Sequence, residues 1–257
     1  MPTVQEIRQA SADEEPLTML TAYDAPTAEL VDAAGIDMIL VGDSMGNAVL
    51  GYDSTLPVTM DDVAGHTGAV VRATEDALVV ADMPFLSYGA TDDAGIENAG
   101  RLVKEAGANA VKIESGPHTV ELTERLVQLG IPVMAHLGLT PQRLNQVGGY
   151  TRQGTTEADA REIKDLARRH EEAGAFSLVL EHVPSELAAE VTADLDVPVI
   201  GIGAGPETDG QVLVLTDVIG LSASPPPFAE SFGDVRGEIA DAVASYREAV
   251  EDGDFPD

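Results

Sequence analysis

The chain has 257 residues, with 14 Lys plus Arg against 45 Asp plus Glu and a formal net charge of −31. Such a charge repels nucleic acid and anionic membrane, and no cluster of basic residues offers a footprint to overcome the repulsion. Cysteine is absent, which excludes disulfides, zinc–thiolate sites and thiol nucleophiles, while a hydrophobic fraction of 44% belongs to one sizeable folded domain, 1–257, rather than to a disordered chain.

Short runs rich in Val, Ile and Leu alternate along the chain with stretches of helical period. In chain order, strands are expected at 17–23, 38–43, 77–82, 110–114, 132–137, 177–182, 198–203 and 211–219. Helices are expected at 25–34, 60–73, 92–106, 118–129, 156–173, 184–194 and 234–250. Gly35, Gly107, Gly130 and Gly174 each follow a helical run and precede a strand, where a left-handed helix exit belongs. Strands apolar on both faces need cover on both sides, so the pattern predicts an α/β (β/α)8 TIM barrel, with a doubly wound open sheet as the runner-up. The longest irregular stretches, 44–59 and 138–155, both follow strands, on the pole where such barrels keep their chemistry.

The N-terminal residues lack an apolar signal core, and no apolar run approaches the ~20 residues of a membrane span, so a soluble, cytoplasmic protein is expected. Lysine occurs only at 104, 112 and 164, while carboxylates crowd the expected helix faces and the tail from Glu251 to Asp254. That surface holds water and cations, as suits a halophilic cytoplasm.

Three expected strands end in carboxylates: Asp43, Asp82 and Glu114. If these are neighbouring parallel strands, the three meet at one pole as an all-oxygen pocket for a hard divalent cation. Singly, each aspartate would as readily cap the following helix; their recurrence favours the shared site. Within Val111-Lys112-Ile113-Glu114, strand alternation puts Lys112 and Glu114 on one face, against the interior. The pair either serves as a buried ion pair or supplies positive charge where negative charge develops. Glu181 ends another strand, and His136 sits in an apolar one, where histidine is more often a packed core residue than a catalyst. His66, His118, His170 and His182 fall on helices or their flanks and read as surface or packing residues. The run Gly201-Ile-Gly-Ala-Gly205 lacks a dinucleotide fingerprint, and Gly148-Gly-Tyr150 reads as a flexible loop over the site.

Taken together, Gly42-Asp-Ser-Met-Gly-Asn47, Gly51–Thr59, Ala81-Asp-Met-Pro-Phe85, Val111–Glu114, His136-Leu-Gly-Leu-Thr-Pro-Gln142, Gly148–Tyr150 and Gly201–Gly205 resemble the 3-methyl-2-oxobutanoate hydroxymethyltransferase (ketopantoate hydroxymethyltransferase) family. The resemblance runs in order from about Leu17 to Gly220. It implies a barrel of the phosphoenolpyruvate/pyruvate-binding type and synthesis of ketopantoate for pantothenate and coenzyme A. It further implies that Asp43, Asp82 and Glu114 hold Mg2+, that Asp43, Ser44, Asp82, Lys112 and His136 contact substrate, and that Glu181 is the general base. The implied cosubstrate is a methylene-pterin, 5,10-methylenetetrahydrofolate or a methanopterin analogue. The implied assembly is a homo-oligomer, with a decamer among its forms. Ser115 and Ala135 stand where the family usually has glycine, and Pro225–Glu230 lacks the basic residues common near the C-terminal proline. The rivals are a Mg2+-dependent pyruvate-type lyase or aldolase on the same barrel, and a keto-acid-binding barrel without turnover.

Overall fold

Eight near-continuous apolar runs close into one parallel barrel, each strand paired with its neighbour in chain order from β1 to β8. The structure, a computed structural model, describes residues 2–12 and 15–256, so Met1, Asp13, Glu14 and Asp257 of the expected domain lie outside the described residues. Helix α1 (Val4–Ala12) precedes β1 (Leu17–Thr21), α2 (Ala25–Ala33), β2 (Met38–Val41), the short α3 (Met45–Ala48) and α4 (Met60–Val71). Then come β3 (Leu78–Asp82), α5 (Asp92–Lys104), β4 (Ala110–Glu114), α6 (Val120–Gln128) and β5 (Val133–Gly138). A 3-10 turn (Pro141–Arg143) and the short α7 (Leu144–Val147) lead to α8 (Glu157–Glu172), β6 (Ser177–Glu181), α9 (Ser185–Asp194) and β7 (Val199–Ile202). The chain ends through β8 (Gly210–Leu213), the short α10 (Leu215–Val218) and α11 (Val235–Asp252). It divides into two compact units, Met1–Val212, which contains every candidate site residue, and Leu213–Asp257, which contains α10 and α11.

Two expectations are corrected. The run 211–219 is not one strand: pairing stops at Leu213, and Leu215–Val218 is helical, because an apolar run of this length suits a buried strand and a buried helical turn alike. Helix α1 was not expected from the sequence, since only Val4 and Ile7 mark its apolar side. Ile7 nevertheless packs into the cluster that fills the barrel.

That cluster explains where the site sits. Residues of alternating parity point inward, and the lower layers are apolar: Met19, Met38, Leu40, Leu78, Val80, Ala110, Met134, Val179 and Ile200 pack together. Continuing the same alternation by one step reaches Asp82, Lys112, His136 and Glu181, and by a second step on β4 reaches Glu114. The opposite parity, including Ala135, Leu137, Leu178 and Leu180, packs against Ile163, Leu166 and Ala167 of α8 and Leu187, Ala188 and Val191 of α9. The barrel is therefore a closed apolar plug below and a ring of ionisable groups above.

Candidate active site

Strand register brings the ionisable groups together in pairs. Asp82 stands opposite Lys112, Glu114 opposite His136, and Gly138 opposite Glu181. Asp43 follows β2 and donates its backbone N–H to Asp82 Oδ2 at 3.2 Å, so all three strand-end carboxylates share one pole. Asp43, Asp82, Glu114, Lys112 and His136 are buried, whereas Glu181 keeps partial access to solvent.

The groups form a line. Lys112 Nζ lies 2.8 Å from Asp82 Oδ2 and 3.3 Å from His136 Nδ1. His136 Nε2 lies 3.1 Å from Glu181 Oε2, at hydrogen-bond distance but out of alignment for a formed bond. An ammonium can only donate, so His136 Nδ1 accepts and the ring proton resides on Nε2, toward the Glu181 carboxylate. Burial and the Lys112 charge push the His136 pKa down, which keeps the ring neutral. For Lys112, burial works against the charge, but the Asp82 and Asp43 carboxylates outweigh it and raise the pKa above the ordinary lysine value.

Acidic charge exceeds what one lysine neutralises. Asp43 is pushed up to about 7, first by burial and then by the Asp82 charge. Glu114 is held well above the ordinary carboxylate range by burial and by Asp43. Asp82 Oδ1 is buried with no hydrogen-bond partner, an orphan acceptor of the kind a cation satisfies. Among the described residues no three acidic or histidine side chains converge on one point at metal distance. Instead Gln142 spans the gap: its backbone N–H reaches Glu114 Oε1 at 3.0 Å, and its side-chain amide reaches Asp43 Oδ2 at 2.9 Å and the Met83 carbonyl at 3.0 Å. Three buried oxygen-donor side chains against a single ammonium fit a hard divalent cation in charge and in donor type.

Ser44, the remaining candidate contact, is hydrogen-bonded to the buried Tyr23 hydroxyl at 2.8 Å. Ser115, where the family usually has glycine, is buried and clasps β5, its backbone N–H donating to His136 O at 2.7 Å and its Oγ accepting from His136 N–H at 3.2 Å. On the 148–150 loop, the Tyr150 phenol is pushed up by partial burial and then by the charges of Asp43, Glu181 and Glu114.

Two residues were not singled out from the sequence. Gln142 appeared only as the end of a motif, although its side chain is the bridge between carboxylates. Tyr88 lies buried behind it, its hydroxyl accepting from Glu114 N–H at 2.9 Å and donating to Gln142 Oε1 at 2.9 Å. The available signal was a glutamine placed soon after a strand on the catalytic pole. His170, expected to be a surface or packing residue, is buried within α8, with Nδ1 3.0 Å from Thr123 Oγ1 and Nε2 3.3 Å from the Gly116 carbonyl.

Known proteins share this fold. Similar solved structures include the phosphoenolpyruvate phosphomutase of Streptomyces platensis subsp. rosaceus, with TM-score 0.66 at 16% identity over 98% of this chain and 88% of that one. A 2,3-dimethylmalate lyase described as a PEP mutase/isocitrate lyase superfamily member aligns with TM-score 0.59 at 20% identity, over 98% and 87%. A phosphonopyruvate hydrolase in complex with oxalate and Mg2+ aligns with TM-score 0.62 at 15% identity, over 98% and 88%. At such identities the likeness establishes the fold. Sequence relatives say more. The 3-methyl-2-oxobutanoate hydroxymethyltransferase of Haloarcula marismortui is 69% identical across 100% of this chain and 94% of its own length. That of Geobacter metallireducens is 52% identical across 99% and 96%. A family model described as ketopantoate hydroxymethyltransferase matches residues 2–257, and the chain belongs to that family of transferases.

Proposed function

We propose that this transferase makes ketopantoate by enolising 3-methyl-2-oxobutanoate at the carboxylate pole and delivering the enolate carbon to a methylene-pterin. The observation that carries the reading is the line from Asp82 through Lys112 and His136 to Glu181, which joins the cation-binding carboxylates to one partly open base. Asp43, Asp82 and Glu114 would hold Mg2+, which when bound would supply Lewis-acid polarisation of the substrate's keto oxygen.

The chain's own groups do the rest. Glu181 removes the C3 hydrogen, being the member of the line with partial access to solvent. The neutral His136 ring stands with Nε2 3.1 Å from Glu181 Oε2, close enough for a small rotation to orient the carboxylate. Lys112, held charged by Asp82, faces the negative charge that grows on the substrate oxygen. The enolate carbon then attacks the donor's methylene carbon. One water supplies the oxygen of the new hydroxymethyl group, and the carrier leaves as the reduced pterin. The family resemblance extends the reading to a cytoplasmic homo-oligomer, which light scattering in molar KCl tests.

Proton NMR of 3-methyl-2-oxobutanoate in D2O tests the enolising half without a donor. The C3 signal is expected to vanish in the presence of protein and Mg2+, and Glu181→Gln is expected to slow the loss by roughly 100-fold or more. Exchange of pyruvate methyl protons in place of the C3 hydrogen would hand the site to a lyase or aldolase. Exchange unaffected by Glu181→Gln would remove the base.

A further inference from the structure

Beside the carboxylate cluster lies a concavity of about 180 Å³, lined on its buried side by Glu114 and Gln142 and toward solvent by Phe85, Leu86, His118 and Arg143. The volume is below the roughly 300 Å³ of a typical small-ligand pocket, which suits one ring system rather than a whole extended molecule.

The rim is unusual in two independent ways. Phe85 and Leu86 are 40% and 70% exposed, and Leu86 holds φ at 60°, a left-handed conformation that costs a leucine energy and recurs at ligand-clamping sites. Across from them, the Arg143 guanidinium and the His118 ring lie directly over Gly116, where a Cβ would stand 3.0 Å from each. Among the described residues neither basic group forms an ion pair with a carboxylate, although acidic residues outnumber basic ones 45 to 14. The rim thus offers an exposed aromatic face, a planar cation free to pair, and an inner wall shared with the catalytic cluster.

We propose that this groove binds the one-carbon donor, the pterin ring against Phe85 and Leu86 and the anionic arm of the carrier on Arg143. The assignment rests on the hydroxymethyl-transfer reading of the neighbouring cluster. A flat heterocycle gains from aromatic contact, and a guanidinium pairs with carboxylate or phosphate in a fixed fork, so folate and methanopterin arms are both accommodated. Glu114 and Gln142 line this groove and belong to the carboxylate cluster as well, so a ring in the groove presents its one-carbon substituent to the enolate site. Gly116 is the positioning residue that lets the two basic side chains lie flat.

The test uses Arg143→Ala, Phe85→Ala and Gly116→Ala, assayed with whichever of 5,10-methylenetetrahydrofolate and its methanopterin counterpart supports turnover in the unaltered protein. The apparent KM for the donor should rise about tenfold in Arg143→Ala, the loss expected for one charge-assisted contact. Arg143→Lys should restore part of it. Donor-free exchange of the keto acid's C3 hydrogen should stay within about twofold, which a general loss of structure would not allow. An unchanged donor KM overturns the assignment, as does a parallel fall in donor-free exchange. If the unaltered protein exchanges the C3 hydrogen but turns over with neither donor, the donor assignment falls while enolisation stands. If it does not exchange either, the underlying reading has failed.

Discussion

Buried polar side chains in this chain divide into those that carry charge and those that must stay neutral, and His170 is the clearest of the second kind. Burial first of all pushes its pKa from the ordinary 6.5 down to about 4. In the unfolded chain the ring binds a proton as pH falls through about 6.5, whereas the folded protein refuses it until about 4, so the unfolded state binds more protons between those values and stability declines across that window. The decline amounts to at most about 3 kcal/mol. Thermal melts between pH 7 and 5 should show this slope in the unaltered protein and a flatter one in His170→Gln; identical slopes would assign the acid sensitivity to carboxylates instead. At this scale the sequence was readable wherever alternation decided the matter. Lys112 and Glu114 had to share a face, and Asp82 had to close a strand. Gln142 was not readable, because its partners lie 28 and 99 residues away and nothing local marks them. His170 is one of the packing residues expected, but the depth of its burial was not readable for the same reason: its hydrogen bonds go to Thr123 and Gly116, which only the packing of α8 brings near.

Several of the longer helices begin on side chains that satisfy a first-turn N–H group. Thr59 opens α4 with a complete capping box, its Oγ1 accepting from Asp62 N–H while the Asp62 carboxylate accepts from Thr59 N–H at 2.9 Å. Asp24, Thr91 and Thr156 cap α2, α5 and α8 in the simpler way. Thr59 therefore closes the Gly51–Thr59 motif as a structural residue, placing α4 rather than touching substrate. Thr59→Ala should cost about 1 kcal/mol and lower the melting temperature by roughly 2 °C, with kcat unchanged; a collapse of turnover would make it a site residue. Strand and helix positions were largely legible, since β4 occupies the expected 110–114 and α9 starts one residue inside the expected 184–194. The errors fall where an apolar run was too short or too continuous to choose a period, at α1 and at the passage from β8 to α10. The loops expected to be irregular contain short helical turns at Met45–Ala48 and Leu144–Val147, each held by a few local hydrogen bonds that no periodicity announces.

Across the molecule, a charge of −31 is a standing repulsion that counterions must screen, and it was legible from composition before any element was placed. Melting temperature should rise steeply as KCl is raised from about 0.1 M, where the screening length is near 10 Å, to about 1 M, where it is near 3 Å. An equal melting temperature at both concentrations would mean the acidity serves solubility alone. Not every carboxylate takes part in that repulsion in the same way. Asp32 accepts the backbone N–H groups of Glu75, Asp76 and Ala77 in the turn before β3. Asp37 accepts from Thr18, Glu171 from Asp196 and Val197, and Asp209 from Val199. These four stitch turns and strand starts at the pole opposite the site, and their bonds to neutral N–H groups need no lysine or arginine to complete them. Anyone wishing to recode this protein for fresh water has a map in them: carboxylates on open helix faces that cap no helix can be exchanged for lysine or glutamine, while Asp32, Asp37, Glu171 and Asp209, with the capping Asp24 and Asp62, are the letters to leave in place.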